Sequence, residues 1–318
     1  MTAPDTFAPA IAQALSTLNT LIYGKQDKLK LALACLLAQG HLLIEDLPGV
    51  GKSTLAQALA KVLGLSYKRV QGSNDLLPAD ILGYTQWQAQ EQKLQFQTGP
   101  IFTEVLLMDE LNRTSSKTQS ALLEAMEERQ VSVEGVSRAL PKPFFVIATQ
   151  NPLEQVGTYA LPESQLDRFM MRLSLGLPSP EDERALLKGG DTRARIGQAT
   201  VACNPEMITA MQMQIANLHV SELLLDYVQR LLTASRHSQA LGNSTHSLPR
   251  AHGLSPRAGL ALLRAAQAHA YVSQRQHVLP DDVQAVFGAV TAHRLHAHDR
   301  FLGEKMAQDL INSTAVVW

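Results

Sequence analysis

Hydrophobic residues follow two different patterns along this chain, one before and one after Pro180. Before it, short apolar runs predict buried strands at residues 41–44, 105–108, 144–149 and 170–175, with a further strand at 66–70. Strands covered on both faces are apolar throughout. Apolar positions three and four residues apart predict helices at 11–21, 29–39 and 118–128. Beyond Pro180 only helices are predicted, at 181–188, 205–218, 221–236, 256–272 and 280–293, with a loop at 242–253.

This change of pattern predicts the fold class. Strands that alternate with helices imply an α/β domain of three layers, in which helices cover both faces of a mainly parallel five-stranded sheet. We place this domain at residues 1–178 and an all-helical domain at 179–318. Alternation at period two predicts a hairpin-like insertion that interrupts a helix between residues 71 and 102, and a second hairpin at 131–135.

A glycine-rich loop, EDLPGVGKST at residues 45–54, follows the first strand and precedes a helical pattern. Strand, glycine loop and helix form the context in which a phosphate-binding loop is expected. The residues that we expect to bind the nucleotide are Pro48, Gly49, Val50, Gly51, Lys52, Ser53 and Thr54.

Several of these residues have a specific chemical use. Gly49 and Gly51 let the backbone approach phosphate oxygens, because no Cβ stands in the way. Lys52 adds a positive charge near the phosphates, and Ser53 supplies a hydroxyl ligand for Mg²⁺. The usual pattern has glycine where Asp46 stands. A purely structural turn would not need Lys52 followed by Ser53, so we predict nucleotide binding.

An acidic pair, Asp109 and Glu110, ends the apolar run at residues 105–108. Carboxylates at the end of a buried strand are costly unless a cation or water meets them there. In a phosphoryl-transfer site, Asp109 would hold magnesium and Glu110 would polarise the attacking water. Solvated carboxylates at a strand end are the alternative, which the upstream loop makes less attractive. The two motifs together predict a hydrolytic site.

Length, charge and cysteines narrow the class of protein. The 318 residues suit one large domain or two smaller ones, and a net charge of −1 does not indicate nucleic-acid binding. Cys35 and Cys203 lie far apart, so we expect buried thiols in a reducing compartment and no disulfide. No apolar run approaches the ~18 residues of a membrane span, and the N-terminus lacks a signal-peptide pattern. These observations predict a cytoplasmic protein.

In their order and wording these motifs resemble those of the AAA+ ATPases, specifically the MoxR family. The matching segments are EDLPGVGKS (45–53), MDELNR (108–113), QSALLEAMEE (119–128), ATQNP (148–152), LPE (161–163), QLDRF (165–169) and LSPRA (254–258). The resemblance extends over about residues 24–293, and Asp46 is usual in this family. It implies a P-loop AAA+ core followed by a helical lid domain, with ATP as substrate and with Mg²⁺ bound through Ser53 and Asp109.

The resemblance also implies roles for residues that would otherwise look ordinary. Asn151 matches sensor 1, which helps to place the attacking water; without the family it would be a strand-terminal turn. Arg168 matches an arginine finger donated into a neighbouring subunit's site, against the alternative of a solvated or Asp167-paired arginine. Arg257 matches sensor 2, which reaches from the helical domain to the γ-phosphate, and the alternative is an ordinary first-turn arginine. Arg113 matches a family position to which we assign no role.

Other family features leave their alternatives open. Tyr23 and Gly24 lie where such ATPases pack the adenine. The family carries one hairpin within the helix after the second strand and another before the sensor 1 strand, which implies insertions here at about 81–100 and 130–141. In ring ATPases such hairpins face the pore or a partner, which makes Tyr84, Trp87 and Phe96 candidate contact residues. Small local cores explain these aromatic residues equally well.

Three histidines near the C-terminus, His293, His296 and His298, raise the question of a metal site. His293 and His296 could share a helix face, but only Asp299 joins them at suitable spacing. A solvated terminal segment is the simpler expectation.

The function implied by the resemblance is ATP-driven remodelling of a partner protein. Family members resemble chaperones that mature partners or insert cofactors into them, often partners with a von Willebrand factor A domain. A trans-acting Arg168 would require a homo-oligomer, similar to the hexameric rings of the superfamily. The alternatives are an AAA+ nucleic-acid motor or loader and a slow nucleotide-gated binding module. The balanced charge argues against the first, and Glu110 beside Asp109 argues against the second.

Overall fold

The computed structural model describes residues 7–151, 161–237, 253–296 and 299–316. Its helices are α1 (Ala8–Leu21), α2 (Gln26–Leu37), α3 (Lys52–Val62), α4 (Pro78–Leu82), α5 (Ser116–Glu128), α6 (Glu163–Leu166), α7 (Pro180–Lys188), α8 (Thr192–Gln198), α9 (Pro205–Ala216), α10 (Glu222–His237), α11 (Pro256–Val272), α12 (Pro280–Leu295) and α13 (Arg300–Ser313). Its strands are β1 (Leu42–Glu45), β2 (Tyr67–Gln71), β3 (Gly83–Gln88), β4 (Lys93–Thr98), β5 (Val105–Asp109), β6 (Gln130–Val133), β7 (Val136–Ala139), β8 (Phe145–Gln150) and β9 (Met171–Leu173). All but the last residue of the predicted loop at 242–253 lies outside the described residues.

Five strands form one parallel sheet, in the order β2–β5–β8–β1–β9. These are the five strands predicted from the sequence, and their parallel pairing confirms the predicted sheet. Because all five run in one direction, their last residues, such as Asp109 and Gln150, meet at one edge, which we call the carboxyl edge. The residues that precede the strands, such as His41 and Met170, lie at the opposite edge, the amino edge.

Alternate side chains of the sheet enter two separate cores, as the pleat of a strand requires. Leu42 and Ile44 of β1 belong to a core shared with α1, α2, α3 and the later helices. Leu43, between them, belongs to a second core that includes Leu122 and Met126 of α5. Helices therefore cover both faces of the sheet, which confirms the predicted three layers.

The helices begin where the sequence supplies caps. The N-cap side chains of Ser115, Ser179, Asn204, Ser255 and Asp299 each accept a backbone N–H of the first turn. Such a cap stabilises a helix by about 1 kcal/mol. Proline lies in the first turn of α7, α9, α11 and α12, where its missing N–H costs no helical bond.

Two antiparallel hairpins are inserted in the α/β part, β3 with β4 and β6 with β7. They lie within the segments predicted at about 81–100 and 130–141. The prediction of a helix on both sides of the first hairpin was wrong. Helix α4 has five residues, and residues 99–104 after the hairpin form turns. Gly83, with a φ of +98°, allows the helix to pass directly into β3.

The aromatic residues of the first hairpin divide into two groups. The Arg138 guanidinium of β7 lies 3.8 Å from the ring centroid of Phe96, whose ring meets Phe102 edge-on at 5.9 Å. Phe96 therefore belongs to a local core that joins the two hairpins. Tyr84 and Trp87 are 49% and 58% exposed and remain candidate contact residues.

The described residues after β9 contain helices and an isolated bridge between His219 and His277. Two of the helices, α8 and α13, are absent from the sequence prediction. Helix α13 packs on α12 through Gly303, where a Cβ would collide with the carbonyl of Ala292. The division of the chain at residues 178 and 179 stays a prediction, with β9 ending at Leu173 and α7 beginning at Pro180 on either side of it.

Cys35 and Cys203 are free thiols in buried positions, as expected from their spacing. Burial raises the pKa of the Cys203 thiol to about 11. Across the described parts of the chain, no helix has both the length and the apolar composition needed to cross a membrane.

Candidate active site

The predicted phosphate-binding loop lies at the carboxyl edge, between β1 and α3. Gly49 and Gly51 have φ values of +84° and +96°, in the region that favours glycine. A Cβ built at either position meets no heavy atom within 4 Å, so the loop borders open space. The first amides of α3, which begins at Lys52, point into this region, and the helix dipole favours an anion there. The loop can therefore receive a phosphate group.

The side chain of Lys52 is held inside the loop by backbone carbonyl groups of the loop itself. Its Nζ donates to the carbonyl oxygens of Asp46 and Leu47, at 2.5 and 3.2 Å, and to Oδ1 of Asn151 at 3.2 Å. Burial lowers the pKa of Lys52, and the carboxylates of Asp46, Asp109 and Glu110 oppose that effect.

Asp109 collects three hydrogen bonds at the end of β5. Its Oδ1 accepts from Thr149 Oγ1 at 2.5 Å, and its Oδ2 accepts from Ser53 Oγ at 3.1 Å and from Arg69 Nη2 at 2.7 Å. Burial alone would raise the pKa of Asp109, but these bonds outweigh it and hold the pKa below its usual value. The carboxylate is therefore ionised at neutral pH. Ser53 and Asp109 present neighbouring oxygens beside the phosphate-binding loop, a donor set that fits magnesium.

Glu110 follows in a left-handed backbone conformation, with a φ of +56°. Its backbone N–H donates to Thr149 Oγ1 at 2.9 Å, and its Oε1 accepts from Asn151 Nδ2 at 3.0 Å. Its Oε2 accepts from Gln71 Nε2 at 3.0 Å and pairs with Arg113 Nη1 at 3.3 Å. Arg113, which had no role in the sequence prediction, is thus a partner of the candidate base.

Asn151 joins the two halves of this cluster, because its amide contacts both Lys52 and Glu110. The backbone carbonyl of Asn151 accepts a hydrogen bond from Asn112 Nδ2 at 3.2 Å. The structure therefore brings together Lys52, Asp109, Glu110 and Asn151, as the sequence predicted, although these residues are up to 99 positions apart in the chain.

Asp46, the residue that departs from the usual glycine pattern, connects the loop to the segment between β9 and α7. Its Oδ2 accepts from Ser174 Oγ at 2.9 Å and from the N–H of Gly176 at 2.7 Å, and its Oδ1 accepts from Leu47 N. Burial would raise the pKa of Asp46, but these hydrogen bonds lower it overall. Glycine could not make these contacts.

Tyr23 and Gly24 lie beside the segment that Asp46 holds. Gly24 approaches the Asp182 side chain so closely that a Cβ would not fit, and the Tyr23 ring lies 5.0 Å from the Arg195 guanidinium. Lys25 donates from Nζ to the carbonyl of Leu177 at 2.8 Å. Tyr23 and Gly24 thus contact α7 and α8, and their predicted role at the adenine stays a prediction.

Arg168 and Arg257 share the carboxylate of Glu127 at the amino edge, at the opposite end of the strands from Lys52. Arg168 Nε pairs with Glu127 Oε2 at 3.2 Å, and Arg257 Nη2 pairs with Glu127 Oε1 at 2.9 Å. Arg257 Nε also lies 3.7 Å from Asp167 Oδ2, and Asp167 is held by Arg294 at 2.7 Å.

The direction of α5 explains this separation. The helix starts next to the carboxyl edge after β5 and runs back for 13 residues, which is about 20 Å. Its last turn is fixed at the amino edge, where His41 Nε2 bonds the carbonyl of Met126 at 3.2 Å. Glu127 therefore lies at the edge opposite the phosphate-binding loop, and so do the two arginines bound to it.

His293, the first of the three C-terminal histidines, does not lie in a solvated segment, contrary to the expectation. His293 is buried in α12, where its Nε2 bonds the carbonyl of Phe169 at 3.1 Å, and burial holds its pKa well below the usual value. Nδ1 of His296 accepts from Asp299 N at 3.0 Å, and His298 lies outside the described residues. Among the residues that are described, no group of three or more His, Cys, Asp or Glu is placed to hold a metal ion.

The sequence analysis missed several residues of the candidate site, namely Arg69, Gln71, Thr149 and Glu127. Gln71 and Thr149 occupy strand ends at the carboxyl edge, so their position relative to the predicted strands was an available signal. Arg69 precedes Gln71 by two residues and shares its strand face. Glu127 carried no such signal, because exposed glutamates are common at helix ends.

Comparison with known proteins agrees with this geometry. The family described as "ATPase family associated with various cellular activities (AAA)" matches residues 41–171, and the family described as "AAA lid domain" matches residues 243–314. The uncharacterised protein YeaC of Bacillus subtilis is 39% identical over 97% of this chain and 95% of its own length. Chaperone MoxR1 of Mycobacterium tuberculosis is 37% identical over 95% of this chain and 79% of its own length.

A known crystal structure has the same fold as this chain. A protein of Cytophaga hutchinsonii described as an ATPase superposes with a TM-score of 0.85 at 30% identity, covering 98% of this chain and 96% of that one. Sequence, sheet order and site geometry thus agree, and the chain belongs to the MoxR family of AAA+ ATPases.

Proposed function

We propose that this protein hydrolyses Mg-ATP at a site shared between two copies of the chain and uses the energy to remodel a partner protein. One observation carries the proposal. Lys52, Asp109 and Glu110 lie at the carboxyl edge of the sheet, whereas Arg168 and Arg257 lie at its amino edge. A single subunit cannot bring both groups to one phosphate without refolding, but two neighbouring subunits can.

The residues at the carboxyl edge bind the nucleotide and start the reaction. The loop amides from Pro48 to Thr54 and the Lys52 ammonium hold the phosphates, for which Lys52 exchanges its bonds to loop carbonyls. Glu110 accepts a proton from the attacking water, and Asn151 orients that water. Magnesium, held by Ser53 and Asp109, would offset the negative charge of the phosphate oxygens. Tyr23 and Gly24 would border the adenine.

The residues at the amino edge complete the site of the next subunit. Arg168 and Arg257 approach the γ-phosphate of a neighbour and stabilise the charge that develops there, an effect worth ~10³-fold or more for an arginine finger. Each copy then gives one arginine pair and receives another, which a closed homo-oligomeric ring satisfies. By resemblance to the superfamily, the ring is a hexamer.

Remodelling is the activity that the family membership favours. The relative from Mycobacterium tuberculosis is named as a chaperone. We propose a chaperone role in the cytoplasm that matures a partner or inserts its cofactor, with a von Willebrand factor A domain in the partner. The exposed Tyr84 and Trp87 on the first hairpin are candidate contacts for it.

Two other functions remain alternatives. A nucleic-acid motor or loader would be expected to carry a basic groove, whereas the net charge here is −1. A salt-dependent shift of the protein's electrophoretic mobility in the presence of DNA would support the nucleic-acid motor or loader again. A slow nucleotide-gated module would not need Glu110. If Glu110→Gln hydrolysed ATP at the wild-type rate, the assignment of the base would be wrong.

The first experiment measures ATP turnover against protein concentration, together with particle mass with and without a non-hydrolysable ATP analogue. We expect specific activity to rise with concentration and a ring to form with the analogue. Constant activity from a monomer would mean that Arg168 is structural, and the shared site would have to be abandoned.

A further inference from the structure

Glu127 holds two arginines that come from different parts of the chain. Arg168 precedes β9 in the α/β part, and Arg257 lies in the first turn of α11 in the helical part. Each oxygen of the Glu127 carboxylate pairs with one of them, Oε2 with Arg168 at 3.2 Å and Oε1 with Arg257 at 2.9 Å. One carboxylate thus fixes the relative position of the two guanidinium groups.

The backbone under Glu127 is itself fixed. The carbonyl of Met126 bonds the buried ring of His41 at 3.2 Å. The end of α5 is anchored by its C-cap residue Arg129, whose guanidinium donates to Gln39 Oε1 and to the Gln39 carbonyl, both at 2.9 Å. Glu127 is therefore a defined point on the sheet's amino edge, and a guanidinium that binds it acquires a defined position.

The arginine-rich surroundings of Glu127 explain why a carboxylate is needed at this position. Glu127 borders a cavity of about 280 Å³ lined by five arginines, Arg129, Arg168, Arg257, Arg264 and Arg294, against the two carboxylates of Glu127 and Asp167. Asp167 is engaged by the buried Arg294. Like charges at this density repel each other. Without Glu127, the half-exposed Arg257 would lose its 2.9 Å partner and keep only the longer contact with Asp167.

We propose that Glu127 is a positioning residue, which holds Arg168 and Arg257 together so that they reach the γ-phosphate of a second copy of this chain as one unit. This inference rests on the proposed function, in which the two arginines act on a neighbour. A guanidinium has five N–H donors, so one bond to Glu127 leaves others for a phosphate. Catalysis depends on such prior positioning, since small displacements of a catalytic group cost large factors in rate.

The test uses mixed rings, in which the two halves of one shared site come from different chains. The supplying chain carries Glu110→Gln, so that its own site is inactive while its arginines are intact. The receiving chain carries Arg168→Ala, so that its phosphate-binding loop is intact but it has no finger to give. Activity in the mixture arises where the first chain supplies arginines to the second.

Glu127→Ala is then placed on either chain. On the supplying chain we expect the maximal rate of the mixture to fall about tenfold, with the ATP concentration at half-maximal rate little changed. On the receiving chain, whose arginine pair is already incomplete, we expect the rate of the parent mixture. Glu127→Gln on the supplying chain, which keeps one acceptor oxygen, should fall between the two. Glu124→Gln, an exposed glutamate of the same helix, is the matched control.

The outcomes separate the two proposals. Pure Arg168→Ala at the wild-type rate, or a parent mixture no more active than its two components measured separately, would contradict the shared site itself. An active parent mixture in which Glu127→Ala has the same effect on either chain, or no effect, would overturn the positioning role alone. A general loss of folding is recognised separately, by a loss of ring mass in the Glu127→Ala variant, and Glu127→Gln then decides between these outcomes.

Discussion

Asn151 links Lys52 to Glu110: its Oδ1 accepts from Lys52 Nζ at 3.2 Å, and its Nδ2 donates to Glu110 Oε1 at 3.0 Å. One amide thus sets the distance between the phosphate-binding lysine and the candidate base. We expect Asn151→Ala to lower the maximal rate about 100-fold, because a preorganised hydrogen bond at the reacting atoms is lost. Nucleotide affinity, measured by titration with a fluorescent analogue, should change much less.

The neighbouring amide serves as the control for this prediction. Gln150 bonds Glu45 Oε2 at 2.8 Å instead of the candidate base. Gln150→Ala should therefore keep most of the activity. Equal losses in the two variants would show that Asn151 has no special role in the chemistry.

Arg69 occupies an oxygen that magnesium would use. Its Nη2 lies 2.7 Å from Asp109 Oδ2, and its side chain is 46% exposed. An exposed ion pair of this kind is worth about 0.2–1 kcal/mol, so Arg69→Gln should lower the Mg²⁺ concentration at half-maximal nucleotide binding by a factor of roughly 1.4 to 5. Lys68→Gln, an exposed residue next to it on β2, should leave that midpoint unchanged. A higher midpoint for Arg69→Gln would mean that Arg69 helps to bind the nucleotide.

Gly72 allows the chain after β2 to approach the acidic strand end. Its N–H donates to the carbonyl of Asp109 at 2.7 Å, and a Cβ would lie 2.9 Å from that oxygen and even closer to the carbonyl of Glu110. We expect Gly72→Ala to destabilise the protein by about 1–3 kcal/mol, as overpacking against backbone does. Urea unfolding measures this change in the free energy of unfolding.

A second glycine, in an open position, is the control for the predicted effect of Gly72→Ala on stability. Gly197 lies in α8, and a Cβ there meets nothing within 4 Å. Gly197→Ala should stabilise the protein by about 0.5–1 kcal/mol, because alanine is the better helix former. If both substitutions destabilised equally, the close approach at Gly72 would not be the cause.

Stability should also depend on pH through a buried histidine. Nδ1 of His41 accepts from Val146 N at 3.0 Å, Nε2 bonds the Met126 carbonyl, and burial lowers the pKa of His41 to about 4. The unfolded chain therefore binds a proton more readily below pH 6.5 than the folded chain does. The contribution of neutral, buried His41 to the free energy of unfolding is fully present above pH 6.5. It is lost as pH falls towards 4, at up to about 1.4 kcal/mol per pH unit.

Urea unfolding at pH 7.0 and 5.5 measures this loss. His41→Gln should be less stable at pH 7 but should lose less stability on acidification than the wild type. His293, whose pKa is also lowered by burial, keeps contributing in both proteins. An unchanged pH dependence in the variant would assign the effect to other groups.

The sheet and the site at its carboxyl edge could be predicted because their signals are local. Apolar runs predicted the strands of the sheet, and the acidic pair at a strand end placed Asp109 near Lys52, whereas the place of Asn151 beside them was implied by the resemblance to the MoxR family. The helices α8 and α13 lacked such a signal. Helix α13 buries Gly303, Ala307 and Leu310, of which two are too small to mark an apolar face.

The pairing of Glu127 with Arg168 and Arg257 could not be predicted in the same way. It depends on where α5 ends relative to the residues before β9, and on how α11 packs against that end. Composition and spacing describe neither relation. The direction of α5 could have been inferred, since a helix that follows a parallel strand must return to the amino edge before the next strand starts.

The separation of the two edges has a consequence for assemblies of different lengths. In the proposed arrangement, an open row of subunits always leaves one phosphate-binding loop without arginines at one end and one arginine pair without a loop at the other. Closure of the row into a ring removes both defects in a single step. A substitution in the arginine pair of one subunit then inactivates the site of the neighbouring subunit, whose own sequence is intact. The loss of activity is therefore displaced by one position around the ring.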